Sequence, residues 1–304
     1  MLTGILAGLA AGALWGLVFV APRMAAGYSS VDLMAGRFAA YGLLAAAVML
    51  VSALAGKRGQ GGLRLPTLRQ ALAALLMSLL GFSGYYLLLV LAIRDAGTEV
   101  PTLIIGTIPI WVMLLGKPPH LRWGALLPGL LLTLAGLLLM MSATHNSGIA
   151  DGGAHYWRGM ALVTVSLVSW TAFAILNSAW LKRHPEVNAT DWANWLGVAT
   201  GLGAVLLWGV TGSDARTLAA QPDLAAFVVL CMATGFGSAW LATILWNMAS
   251  QRLSASLCGQ LIVSETIFAL LYSFAWDGRW PTGMQLAACV LFTLGILASI
   301  QAHR

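Results

Sequence analysis

Glu265 lies near the middle of an apolar run, Ser256 to Trp276, far from either end of the segment. An ionised carboxylate at that depth in hydrocarbon is costly enough that it must be protonated, paired or reached by water. It is therefore a candidate proton site or substrate contact, and the bland alternative is a neutral glutamic acid bonded to a neighbouring helix. Arg37 lies about one turn inside another apolar run, Leu33 to Leu54. There a long side chain can anchor the helix by snorkelling to the headgroups or can pack against a neighbour. It can also grip a carboxylate in the bidentate manner that would suit an amino acid.

Aromatic and small polar residues recur at helical spacing around these two charges. Trp15 and Phe19 are four residues apart, and Ser166, Trp170, Phe173 and Asn177 share a face of another run. Tyr85 and Tyr86 are adjacent, so one at most faces a centre, while Trp111 and Trp240 stand in further apolar runs. Such faces line pockets for amphipathic ligands, although aromatic stripes also serve plain packing. Ser256, Gln260 and Ser264, spaced by four, form a polar stripe expected to avoid lipid and face a cavity. Thr102 shares a face with Gly106 and Pro109; together with Pro101, Pro109 frees backbone carbonyls of the sort transporters use around substrates, or simply kinks a helix. Gly4, Gly8, Gly12 and Gly16 leave a bare stripe that permits close helix approach, or sliding between two states.

Other chemistries have little support. His120, His145, His155, His184 and His303 are dispersed through predicted loops and the terminus, and Cys231, Cys258 and Cys289 lack metal or disulfide spacing and read as core residues. No nucleophile elbow, zinc-protease or phosphate-loop motif occurs, so an enzyme is not expected, nor is any cofactor or metal. The basic residues form no stripe suited to nucleic acid. Asn188-Ala189-Thr190 matches a glycosylation acceptor, but its loop is predicted cytoplasmic and the match is read as chance.

Hydrophobic residues make up 60% of the 304 positions and charged ones 9%, against roughly 25% charged in soluble domains. A span needs roughly 20 apolar residues, and breaks at charged, Pro-rich and Gly-rich stretches predict ten. They are Thr3–Ala21, Leu33–Leu54, Ala71–Ile93, Thr98–Leu115, Gly124–Ser142, Gly159–Trp180, Trp192–Thr211, Leu224–Asn247, Ser256–Trp276 and Thr282–Gln301. The first is read as a retained helix rather than a cleaved signal. Cytoplasmic loops retain Lys and Arg. Lys57, Arg58, Arg64 and Arg69 place the second loop inside, and Lys117, Arg122, Lys182, Arg183, Arg252 and Arg304 follow. Both termini are then cytoplasmic, whereas Arg23, Asp32, Arg94, Asp95, Glu99, Asp151, Arg158, Asp214, Arg216, Asp223, Asp277 and Arg279 are outside.

The halves are similar. Gly4 to Trp15 aligns with Gly159 to Trp170; further on Asp32 meets Asp191, Gly42 meets Gly201, Gly81-Phe82 meets Gly235-Phe236, Tyr86 meets Trp240 and Gly136 meets Gly295. An odd number of spans per copy inverts the second relative to the first, the arrangement of many secondary transporters. The predicted organisation is a first five-helix repeat over 1–142, an external linker over 143–157 and a second, inverted repeat over 158–304.

Leu14-Trp15-Gly16, then Phe19-Val20, then Arg37-Phe38 within Asp32 to Leu44, with the closing Leu-Gly-Ile-Leu at 294–297, resemble the EamA-type branch of the drug/metabolite transporter superfamily over essentially the whole chain. The second copy departs from the pattern: Leu196 stands in the place of Arg37, and Glu265 in the place of Pro109. The resemblance implies a monomeric exporter in the inner membrane, with a cavity lined by the first, third, fourth, sixth, eighth and ninth helices. Amino-acid exporters, including the aromatic amino-acid exporter of enteric bacteria, share that architecture. The expectation is a secondary exporter of small metabolites, foremost neutral and aromatic amino acids, working by alternating access. Exporters of other metabolites or drugs are the alternative, and an intramembrane enzyme or assembly subunit ranks below both.

Overall fold

A chain crossing hydrocarbon must satisfy its backbone polar groups within itself, and every regular element among the described residues is helical. The computed structural model describes residues 1–25, 27–54, 65–97, 99–144 and 153–304. The expectations placed on Lys57, Arg58, Arg64, His145, Asp151 and the side chain of Glu99 lie outside the described residues.

In chain order the helices are α1 (Leu2–Gly16), continued by a short turn Leu17–Phe19, α2 (Ala21–Met24), α3 (Ser30–Leu54), α4 (Leu68–Gly81), α5 (Ser83–Ala96), α6 (Glu99–Gly106), α7 (Ile108–Leu115) and α8 (Trp123–Thr144). They continue with α9 (Ala154–Arg183), α10 (Ala189–Thr211), α11 (Ala215–Ala220), α12 (Leu224–Thr234), a π-helical turn Gly235–Leu241, α13 (Ala242–Arg252), α14 (Ala255–Asp277) and α15 (Gly283–Ala302). Helix α9 starts at Ala154, so the last residues assigned to the linker are already helical.

Nine stretches among the described residues are long and apolar enough to cross a membrane, one fewer than the ten expected. The fourth predicted span is the difference: Val100–Leu115 is apolar but short. It is split at Thr107, whose hydroxyl donates to the Ile104 carbonyl at 2.6 Å, and Pro109 brings no N–H to the following turn. Two other spans are irregular. Residues 68–96 bend at Phe82 between α4 and α5, and residues 224–252 carry the π-helical turn. These two interruptions fall at the aligned pairs Gly81-Phe82 and Gly235-Phe236.

The contacts sort the helix ends into two groups. At one end the start of α1 meets the end of α13, with Gly4 against Arg252 and Leu253. Lys182 donates to the Leu253 carbonyl at 2.6 Å, and the Ser256 amide donates to the Gly116 carbonyl at 3.1 Å. The opposite end is tied by Arg23–Asp277 at 3.0 Å and Arg158–Asp95 at 2.6 Å, and by Ser213, which donates from backbone and hydroxyl to Asp32. Lys182, Arg183 and Arg252 thus gather at the end that holds the start of the chain.

Packing differs between the two ends. In α14 the residues from Ser256 to Ser264 are all buried, whereas Glu265 to Phe268 and most residues beyond are partly accessible. The same change occurs along α1, buried at Gly4, Gly8 and Gly12 but accessible from Ala13 to Trp15. The glycines explain the tight half: Gly8 lies against Leu261, Gly12 against Ser264, and Gly16 against the Phe268–Ala269 backbone. Elsewhere α3 crosses α10 with two glycines face to face; a Cβ on Gly42 would stand 2.6 Å from the Gly201 Cα.

Candidate functional site

The floor of the accessible half is aromatic. Trp246 of α13 is 1% exposed and lies between Trp15 of α1, with ring centroids 5.3 Å apart, and Trp170 of α9, at 6.4 Å. From Trp170 the ring contacts run through Phe173 at 5.9 Å, Phe82 at 5.4 Å and Phe38 at 6.1 Å to Tyr86 at 6.3 Å from Phe38. Tyr85 packs against the same core as Trp15 and Trp170. Five separate helices contribute to this wall, so its continuity is a product of tertiary packing.

Two opposite charges meet the wall. Arg37 is buried, and its Nη2 donates to the Ser238 carbonyl inside the π-helical turn at 3.2 Å. A π-helical turn shifts carbonyls off the regular ladder and leaves them open to such donors. The Arg37 Nε has no hydrogen-bond partner, although it is buried. Glu265 stands where α14 passes from its buried to its accessible half, and its carboxylate accepts no hydrogen bond from a described residue. Arg37 and Glu265 interact electrostatically, and each also interacts with the tyrosine pair, Arg37 with Tyr86 and Glu265 with Tyr85. They do not form a direct ion pair: the two such pairs among the described residues are Arg23–Asp277 and Arg158–Asp95. The buried guanidinium keeps a spare donor, and the carboxylate keeps acceptors that no described residue fills.

The structure brings Trp15, Tyr85, Tyr86, Trp170, Arg37 and Glu265 together. The remaining candidates lie elsewhere. Asn177 is fully buried nearer the basic end, where its Oδ1 accepts from Trp192 Nε1 at 2.7 Å and its Nδ2 donates to Asn247 at 3.1 Å. Gln260 is also fully buried, bonded to Thr133 of α8 at 2.9 Å and to Ser299 of α15 at 3.1 Å. Ser264 donates to the Leu261 carbonyl and fills the space left by Gly12. The polar stripe on α14 is therefore buried against other helices: Gln260 bonds across to α8 and α15, Ser264 bonds within α14, and the Ser256 hydroxyl has no hydrogen-bond partner. Trp240 stacks on Phe236 and donates to Asn194 at 2.8 Å. Trp111 is 44% exposed and donates to Thr107, Phe19 is 57% exposed, and Thr102 is exposed on α6.

Trp246, Phe82 and Phe38 complete the wall without having been singled out in the sequence. Repeat alignment pointed to Trp240 instead, because Trp240 matches Tyr86. The usable signal for Phe82 was its place beside Gly81, at the one break shared by both halves. Ser169 of α9 donates to the Leu80 carbonyl there at 2.8 Å, and Ser166 donates to the Tyr85 carbonyl at 3.1 Å. These bonds fix α9 against the bend that presents Phe82 and the tyrosines.

Helices of membrane-spanning length, packed tightly at one end, define a polytopic membrane protein. The chain belongs to the family of Inner membrane protein YtfF from Escherichia coli (strain K12), with which it is 31% identical over 99% of its own length and 96% of the relative's. It is 24% identical to a Probable terminal-alkyne amino-acid exporter from Streptantibioticus cattleyicolor, over 94% of this chain and 92% of that one. Uncharacterized transporter YdfC of Bacillus subtilis (strain 168) is 23% identical over 77% and 72%. A solved crystal structure with 20% identity superposes over 98% of both chains with a TM-score of 0.76, a likeness of fold. No protein-family model matches the sequence.

Proposed function

We propose that this protein is a secondary transporter of the EamA-type drug/metabolite branch that exports small metabolites, foremost amino acids including aromatic and other neutral ones, across the inner membrane. The observation that carries this reading is the Arg37–Glu265 arrangement. The two charges interact without pairing directly, and Arg37 lies over Phe38 in the ring series that runs from Trp15 through Trp170 to Tyr86. A zwitterion fits that gap: its carboxylate takes the guanidinium, its ammonium takes the carboxylate, and its side chain lies on the aromatic rings. The exporter named among the relatives favours an amino acid as the solute.

Alternating access would come from two inverted five-helix halves, the first over 1–142 and the second over 158–304, acting as a monomer with both termini cytoplasmic. Helix pairing supports the inversion. The aligned Gly42 and Gly201 touch each other, α8 packs on α15, and Gly4 meets the end of α13 as its match Gly159 meets the end of α5. Val100–Leu115 would be the tenth crossing, shortened by its break, since discontinuous helices flank substrate sites in such repeats. With the basic end inside, the open half of the bundle faces outward. Glu265 would release its proton or its bound ammonium as the halves exchange shapes.

Proteoliposomes preloaded with single amino acids, followed with and without a proton gradient, test the reading. Efflux of aromatic or neutral amino acids, lost in Glu265→Gln, is expected. Efflux of none of them from a folded sample sinks it, and turns attention to other metabolites or drugs.

A further inference from the structure

Near the end of the molecule where Ser213 holds Asp32, a crevice of about 210 Å³ opens between α3, α10 and α12. Its lining is almost wholly apolar. Ala35, Gly36 and Ala39 on α3 and Ala204 on α10 keep its floor low, since none carries more than a methyl group, and Val205, Trp208 and Phe227 form its sides. Asp32 touches the margin, but its oxygens are already taken by the Ser29 hydroxyl and by the amide and hydroxyl of Ser213, so it brings no free charge. Val205 is 68% exposed, which opens the crevice sideways. The floor from Ala35 to Ala39 lies about 8–14 Å along α3 from its first residue, Ser30. Both α3 and α10 are of membrane-spanning length, so the opening faces hydrocarbon. Trp208 adds an open donor. Its indole lies over Gly212, the C-cap of α10, where a Cβ would stand 2.8 Å from Nε1, and no described residue accepts from that N–H. An indole at the end of a span sits at the depth of the lipid headgroup region, its ring in hydrocarbon and its N–H towards polar groups.

We propose that this crevice is a lipid site that holds one acyl chain of an ester-linked phospholipid. The chain fills the apolar trough between α3 and α10, and the ester carbonyl at its head accepts from Trp208 Nε1. A water-soluble charged solute finds no charge to pair with along the trough, whereas a hydrocarbon chain with an acceptor at one end matches both the lining and the donor. Ala35 and Ala39 are half a turn round α3 from Arg37, so the bound chain braces the helix that carries this guanidinium. The site needs only that the chain lies in a bilayer, and it does not rest on the transport reading.

The test is photocrosslinking of the full-length protein in phosphatidylcholine nanodiscs doped with a phosphatidylcholine whose acyl chain carries a diazirine, mapped by peptide mass spectrometry. Native mass spectrometry with diester and diether phosphatidylcholine accompanies it. Crosslinks concentrated at residues 32–39 and 204–208 are expected. They should fall about fivefold or more in Val205→Trp, which covers the trough, and in Ala39→Phe, which fills it, as the loss of one or two buried methylene groups implies. Val290→Trp, on an exposed face of α15, should leave them unchanged. The diester lipid should be retained about threefold over the diether, the ratio expected of one neutral hydrogen bond, and Trp208→Phe should bring the two level. Val205 is exposed, so its variant keeps the test decisive even if Ala39→Phe unfolds. Crosslinks spread evenly over the lipid-facing helices, crevice crosslinks that survive Val205→Trp, or equal retention of the two lipids by the unaltered protein overturns the proposal.

Discussion

Residues 99–115 and 255–277 pack against each other through the molecule, with Gly259 against Val112, yet they treat polarity in opposite ways. The first stretch is broken at Thr107 and Pro109, so past Glu99 its polarity comes from backbone carbonyls, small hydroxyls and the Trp111 indole. The second is one uninterrupted helix whose backbone is occupied by its own ladder, so any polar function must come from a side chain such as Glu265. In the sequence alignment of the halves, Glu265 stands where Pro109 does. A span in lipid can offer polarity either by interrupting its ladder or by carrying a costly side chain. The proposed repeats have taken one route each, which makes the interior site asymmetric.

Removing the side-chain route should do the most damage. Glu265→Gln is expected to lower transport at least tenfold and to flatten its response to pH while the protein stays folded; a variant that keeps both the rate and the pH response would show that Glu265 is a packing residue. Arg37→Gln should raise KM by about tenfold or more, the loss expected for one charge-assisted hydrogen bond. A fall in kcat with KM untouched would instead mark Arg37 as a brace for the π-helical turn.

Altering the backbone route should act more gently. Pro109→Ala supplies an N–H but leaves Thr107 bonded to Ile104, so a few-fold loss of transport with little change in melting temperature is expected. A loss as deep as that of Glu265→Gln would mean that the two stretches are equivalent partners. Packing at the symmetric crossing is a separate matter. Gly42→Ala forces a methyl onto the Gly201 backbone, and the melting temperature should fall with a destabilisation of about 1–3 kcal/mol. Breaking the Arg158–Asp95 pair with Arg158→Gln should shift the melting temperature less than any core change, because Arg158 is 64% exposed and water screens the pair. A shift as large as that of Gly42→Ala would assign the outer end a structural weight that its exposure does not suggest.

Much of this architecture is written in composition and spacing. Apolar runs of span length fix the helices because hydrocarbon allows few other conformations, and the glycines at 4, 8, 12 and 16 announced a helix seam that α14 fills. The clustering of Lys182, Arg183 and Arg252 at one end was also legible, since alternating spans dictate which loops share an end. Periodicity names a face without saying what lies opposite it, and there the tertiary structure decided. Gln260 and Ser264 met neighbouring helices, Asn177 met Asn247 and Trp192, and Arg37 turned inward to the Ser238 carbonyl. Trp246 became the floor of the site only because α1 and α9 bring Trp15 and Trp170 to either side of it. Local sequence sets which residues can bear a charge or a ring in lipid. Their roles depend on which helix packs where, and that is settled by long-range contacts that no single segment contains.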